Sequence, residues 1–141
     1  EYHGAVAFRN HIIVVGGSKE KSAEIFTNKL STQIADMNNE REKFGLEVCD
    51  DKIYAFGGCW GSMLQRDSME CYDPNKNSWT WLSQTIPSPM NSFGTTTWEN
   101  TIIVGGGWNA LSLSQRQTGV YQYDPRKPKW NHIIDLPEGC A

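Results

Sequence analysis

The apolar positions of this chain fall in short runs that end at glycine, and the runs recur at long intervals. Ile12-Ile13-Val14-Val15 leads into Gly16-Gly17, Ile53-Tyr54-Ala55-Phe56 into Gly57-Gly58, and Ile102-Ile103-Val104-Gly105 into Gly106-Gly107. Each run starts eight residues after an earlier glycine (Gly4, Gly45, Gly94), and that offset selects Gly106-Gly107 as the third pair. The units are 41 and 49 residues long between those glycines, a repeat length that points to stacked supersecondary units. No helical period is sustained over about 10 residues, whereas β-branched and aromatic runs alternate with turn signals. Each unit is therefore predicted to form four antiparallel strands. In the second unit these fall at 44–49, 52–56, 68–72 and 79–83.

A second signature follows the glycines. Tyr72-Asp73-Pro74 precedes Trp79, and Tyr123-Asp124-Pro125 precedes Trp130, with seven residues from tyrosine to tryptophan in both copies. In the first unit Phe26 and Gln33 stand at the same spacing and Thr27-Asn28 replaces Asp-Pro, so that copy is degenerate but in register. Each signature residue has a physical role. Asp50-Asp51 and Glu99-Asn100 suit a tight hairpin between the first two strands. The glycine pairs end the second strand where side chains would block close approach of neighbouring backbones. Asp-Pro stops the third strand, because proline fixes φ and donates no ladder hydrogen bond. Trp79 and Trp130 are large enough to fill the gap between twisted neighbouring sheets.

The glycine pair, Tyr-Asp-Pro and the following tryptophan resemble the kelch repeat. Met37-Asn38 with Arg41 and Phe44-Gly45, and Met90-Asn91 before the third unit, are similar to the kelch-like proteins that join a BTB domain to a propeller. The resemblance implies an all-β fold: a kelch-type β-propeller, present as three four-stranded antiparallel blades of an incomplete ring. The blades are expected at 1–38, 39–90 and 91–141, and three such sheets leave both terminal packing faces bare. The chain, which opens at Glu1 with no initiator methionine, is expected to be a piece of a longer protein. The resemblance implies a binding role: a substrate receptor for a cullin-RING ubiquitin ligase, docking cullin through a BTB domain absent here. Direct binding of actin by a cytoskeletal protein is the alternative. Both readings imply the cytoplasm, and the second the cytoskeleton.

In a propeller the strands pack and the loops recognise. The resemblance implies that loops after the glycine pairs and linkers between blades open on one face. Cys59–Asp67 and Trp108–Gln117 each carry an early tryptophan and a late Gln-Arg, making Trp60, Arg66, Trp108 and Arg116 the candidate partner-binding residues. Tryptophan and arginine dominate binding hot spots through contact area and a forked, permanently charged donor set. The competing reading folds each tryptophan over its own loop and leaves each arginine solvated. Arg41 and Lys43 would add positive charge to this rim, blunted by Glu40 and Glu42, with a wholly solvated turn as the stronger alternative.

Composition narrows the remaining classes. A net charge of −3 from 13 basic and 16 acidic residues, spread along the chain, offers no basic stripe for a phosphate backbone, so nucleic acid is not an expected partner. No apolar run approaches the roughly 18 residues of a membrane span. Cys49, Cys59, Cys71 and Cys140 form no Cys-x-x-Cys pair and are read as reduced thiols, distant in sequence from His3, His11 and His132. No metal, cofactor or catalytic residue is expected. The chain shows no nucleophile elbow or triad signature, and Gly105-Gly106-Gly107 lacks the lysine and helix of a phosphate cradle. Some kelch propellers are copper oxidases with Tyr, Cys and His ligands, but these histidines sit at unrelated positions of their units. The expectation is a binding surface, not an enzyme.

Overall fold

Two-residue turns set the strand pairing. A computed structural model describes residues 1–61, 64–109 and 115–140, and in it Arg9-Asn10, Asp50-Asp51 and Glu99-Asn100 all have positive φ, between 46° and 64°. That is the hairpin geometry whose twist matches the flanking strands. The first sheet is β1 (Gly4–Phe8), β2 (His11–Gly17), β3 (Glu20–Thr27) and β4 (Leu30–Ile34). The second runs through β5 (Gly45–Cys49) and β6 (Lys52–Phe56), then a small ribbon of β7 (Cys59–Trp60) and β8 (Leu64–Gln65), then β9 (Ser68–Asp73) and β10 (Ser78–Thr85). The third follows β11 (Met90–Asn91) with β12 (Gly94–Trp98), β13 (Thr101–Gly105), β14 (Trp108–Asn109), β15 (Gly119–Asp124) and β16 (Lys129–Asp135). In each four-stranded sheet the strands lie in chain order, all antiparallel, and β11 pairs with β14 outside the third sheet. No helix occurs among the described residues, and hence none long and apolar enough to cross a membrane.

The sheets stack as blades, with β5 packed against β1 on one side and β12 on the other. The middle blade is buried on both faces, so β6 reads as a continuous apolar run instead of an alternating one. Ile53, Ala55, Tyr72 and Trp79 face the first blade and meet Phe8, Ile13, Val15 and Met37. Tyr54, Phe56, Met69 and Cys71 face the third and meet Ile102, Val104 and Tyr123. Trp79 fills the first gap, its ring 5.2 Å from that of Tyr72 and tilted against it by 40°, with its indole N–H donated to the Ala35 carbonyl at 2.8 Å. Trp130 fills the second, 5.2 Å from Tyr123, with its indole N–H 3.4 Å from the Met69 sulfur. Asp73 and Asp124 each accept the backbone N–H two residues on at 3.0 Å, capping the turn that proline starts.

Each linker between blades crosses a glycine pair at close range. A Cβ on Gly58, at φ 86°, would lie 2.6 Å from the Phe44 Cβ, and one on Gly107, at φ 91°, 2.7 Å from the Phe93 Cβ. Both positions require glycine for conformation and for space. The glycine N–H groups hold the linkers: Gly17 donates to the Arg41 carbonyl at 3.0 Å and Gly58 to that of Met90 at 2.9 Å.

The structure corrects the reading of Arg41 as a rim residue. Its side chain is fully buried between the first two blades. Nε donates to Glu70 Oε1 at 3.0 Å, Nη1 to the carbonyls of Gly57 and Ser68 at 2.9 and 3.0 Å, and Nη2 to the Ser68 hydroxyl at 3.0 Å. Glu70, equally buried, also accepts the backbone and side-chain N–H groups of Asn38 at 2.7 and 3.1 Å. Burial pulls the Arg41 guanidinium below its ordinary range and the Glu70 carboxylate opposes that pull. Buried charge demands such pairing, so Arg41 locks the linker and is unavailable to a partner.

At the opposite, solvent-exposed end Arg9 grips Asp51 with two bonds of 2.6 and 3.1 Å between the first two blades. This pair holds the Asp51 carboxyl below its ordinary range, chiefly through the hydrogen bond from Arg9. A depressed carboxylate favours the fold above its unfolded pKa and loses that effect as pH falls through the folded value. In Arg9→Ala the Asp51 pKa, followed by NMR titration, is expected to rise toward the ordinary carboxylate value. An unchanged titration would exclude the contact in solution.

Cys49, Cys59 and Cys71 are free and buried, and burial raises all three thiols above their usual range, so they remain protonated and unreactive at neutral pH. Cys140 is free and exposed.

Candidate binding surface

In a four-stranded meander the first and third turns lie at one end and the second turn lies at the other, with the exit to the next blade. The loops after the glycine pairs therefore share an end with the linkers, and the two are stitched together. Cys59 pairs with Glu42 of the first linker, and Asn91 of the second pairs with Trp108. Both loop sets form one rim, with Trp60, Arg66, Trp108 and Arg116 on it.

The shared Trp and Gln-Arg layout of the two loops does not survive in register. Cys59 lies opposite Gln65 in one loop, whereas Trp108 lies opposite Arg116 in the other. Arg66 donates its backbone N–H to the Gly58 carbonyl at 2.8 Å, and Gln117, not Arg116, makes the equivalent bond to Gly107 at 2.8 Å. The motifs are offset by one residue, and a one-residue offset in a strand turns a side chain to the other face. Their environments differ accordingly. Arg116 is exposed and its guanidinium lies 5.3 Å from the centre of the Trp108 ring, so this pair packs over its own loop. Trp60 is exposed, at 44%. Arg66 is half-buried, and its Nε is shielded from solvent with no hydrogen-bond partner among the described residues. Ser62, Met63 and residues 110–114 of these loops lie outside the described residues.

Arg66 and Trp60 line a cleft of about 290 Å³ between the first two blades, with Lys21, Asn38, Asn39 and Glu40 completing its wall. The charge of Arg66 reaches Arg41 and contributes to lowering its pKa. Arg41 has its own carboxylate in Glu70, whereas among the described residues the Nε of Arg66 has no partner. The cleft thus sets the Arg66 guanidinium beside an exposed indole, a combination suited to a carboxylate on a segment with apolar neighbours. Among the described residues no cluster of histidine, cysteine and carboxylate side chains is arranged to hold a metal ion.

Comparison with known proteins agrees with the repeat geometry. The family model described as the Kelch motif matches residues 41–82 and 89–134, more than half of the chain. Beta-scruin of Limulus polyphemus is 29% identical over 96% of this chain and 17% of its own length. Kelch repeat and BTB domain-containing protein 2 of Ectromelia virus is 32% identical over 92% of this chain and 22% of its own. Kelch-like protein 35 of Mus musculus is 25% identical over 99% of this chain and 24% of its own. The chain thus spans about a fifth of the length of these relatives. The solved structure of YjhT superposes on 97% of the chain with a TM-score of 0.86 at 16% identity, and the match takes up 52% of that structure.

Proposed function

The chain belongs to the kelch-repeat family and is a protein-interaction module, and on that premise we propose that it is the substrate-recognition propeller of a BTB-kelch adaptor for a cullin-RING ubiquitin ligase. Similarity to relatives that carry both a kelch repeat and a BTB domain supports the adaptor part of this reading. The observation that carries the recognition part is Arg66, which lines a cleft that the exposed Trp60 borders. A guanidinium beside an indole is suited to a carboxylate on an acidic segment of a client protein. Arg116, exposed on the next blade, is the second anchor for the same segment. Actin is the partner in the alternative, cytoskeletal reading.

Alanine at both Arg66 and Arg116 is expected to leave stability within about 0.5 kcal/mol per site, as for loop charges outside any structural network. It is expected to weaken capture of the client more than tenfold, which corresponds to about 1.4 kcal/mol. Affinity capture from cell extract, quantified for wild type and double variant side by side, checks this. Clients lost with the arginines support the anchors, and an unchanged set of captured proteins removes both from the site. Actin co-sedimentation with the same two proteins separates the cytoskeletal reading.

A further inference from the structure

We propose that the perimeter of the second gap is a docking groove, in which β10 and the third blade hold an extended, acidic segment of a partner protein between them. The groove shares no lining residue with the cleft at Arg66. Its evidence is a difference between the two internal gaps of the array.

At the perimeter of the first gap, the chain just beyond β4 is bound across to the second blade. Ala35 donates its N–H to Asn77 Oδ1 at 2.9 Å, and its carbonyl accepts the Trp79 indole N–H at 2.8 Å. Among the described residues neither bond has a counterpart in the second gap. Pro128 stands in the place of Asn77, two residues before the signature tryptophan, and has no side-chain amide to offer. Trp130 turns its indole N–H to the Met69 side chain on β9 instead of to the outer strand. Gln84 is the counterpart of Ala35, because each stands two residues before the N–H that closes its strand end. Met37 donates there to the Lys21 carbonyl and Ile86 to that of Asp67, both at 2.8 Å. What is bound across in the first gap thus stays open in the second, as a cleft of about 560 Å³ lined by Gln84 and Pro128.

The chemistry of this cleft selects its occupant. Tyr54 and Tyr123 are buried at its floor, and Leu82 and Pro125 form half-buried apolar walls. Lys52 and Lys76 stand exposed on it against one carboxylate, Asp73, which already accepts the Asn75 N–H at 3.0 Å. Burial raises the Cys71 thiol beside them and the charge of Lys52 opposes that rise, so this cation reaches into the cleft. An excess of positive charge around an apolar slot, in a chain whose net charge is −3, complements an apolar side chain flanked by carboxylates. The cleft follows β10 from Thr80 to Gln84, and β10 is the edge strand of its sheet. An edge strand offers backbone donors and acceptors to an added extended chain, with alternate side chains of that chain directed into pockets.

A phage-displayed library of random short peptides, panned on the chain and on its Arg66→Ala/Arg116→Ala variant, tests this independently of the rim. Peptides that alternate acidic and apolar residues are expected from both proteins. For a selected peptide, fluorescence anisotropy is expected to show affinity weakened about tenfold or more by Lys52→Glu with Lys76→Glu. The rim variant is expected to change that affinity by less than about twofold, since distant sites act independently. Leu82→Arg, which fills the slot, is expected to abolish binding. Both lysines are exposed, so the urea midpoint of their double variant is expected to match the wild type and to separate lost binding from lost folding. No enrichment of acidic peptides, affinity indifferent to reversal of the lysines, or affinity lost with the rim arginines would each overturn the proposal, and the last would place the peptides on the rim.

Discussion

Arg41→Ala is expected to destabilise the fold by about 3–5 kcal/mol, because it leaves the Glu70 carboxylate buried and without its cation. Two carbonyls and the Ser68 hydroxyl lose their donors as well. Glu70→Ala is expected to fall in the same range, since it strands the guanidinium and releases Asn38. The next gap shows how such a site is filled without charge. Met90, whose carbonyl accepts from Gly58 as that of Arg41 does from Gly17, is the equivalent of Arg41, and Tyr121 stands where Glu70 does, two residues before the signature tyrosine. The double change Arg41→Met with Glu70→Tyr is therefore expected to cost far less than the sum of the two alanine variants. Replacing both members of a buried pair by apolar groups avoids the isolated charge, whereas removing one creates it. Urea denaturation of the three variants measures this, and simple additivity would show that the two residues do not act as a pair.

Trp79→Ala is expected to cost about 3–5 kcal/mol, the range for emptying a buried aromatic site. It opens the gap between the first two blades, removes the ring beside Tyr72 and leaves the Ala35 carbonyl without its indole donor. Trp130→Ala acts on the second gap in the same way and, being half-buried, falls toward the lower end of that range. Trp60→Ala is expected to cost less than either, because the ring stands 44% exposed on a loop. Denaturant midpoints in which Trp60 is the most costly of the three would contradict the assignment of Trp79 and Trp130 as the residues that join the blades.

The strands of this fold were legible because their chemistry is local. Proline at 74 and 125, the glycine pairs and the two-residue turns each act within a few positions, and the strands expected at 52–56 and 68–72 appear as Lys52–Phe56 and Ser68–Asp73. The linkers were harder to place. The resemblance of Met37-Asn38 to Met90-Asn91 is one of composition, whereas the backbone bonds align Arg41 with Met90. Counting back four residues from Gly45 and Gly94 gives the same alignment, and it puts Arg41 at a core position that Met90 fills elsewhere. Glu70 carried no signal, because its partner lies 29 residues away and only stacking of the blades brings them together. The loops misled by one residue: similar sequences after the glycines enter their small ribbons in different register, so Arg66 turns inward and Arg116 outward.

Recognition on the glycine-pair rim is tested most directly by hydrogen–deuterium exchange of the chain with and without its captured client protein. Slowed exchange is expected at 58–61, 64–67, 106–109 and 115–117, together with the linker at 38–42, where the rim and its cleft lie. The turns at Arg9-Asn10, Asp50-Asp51 and Glu99-Asn100, at the other end of the blades, are expected to exchange at unchanged rates. Protection confined to those turns, with none on the rim, would contradict the account.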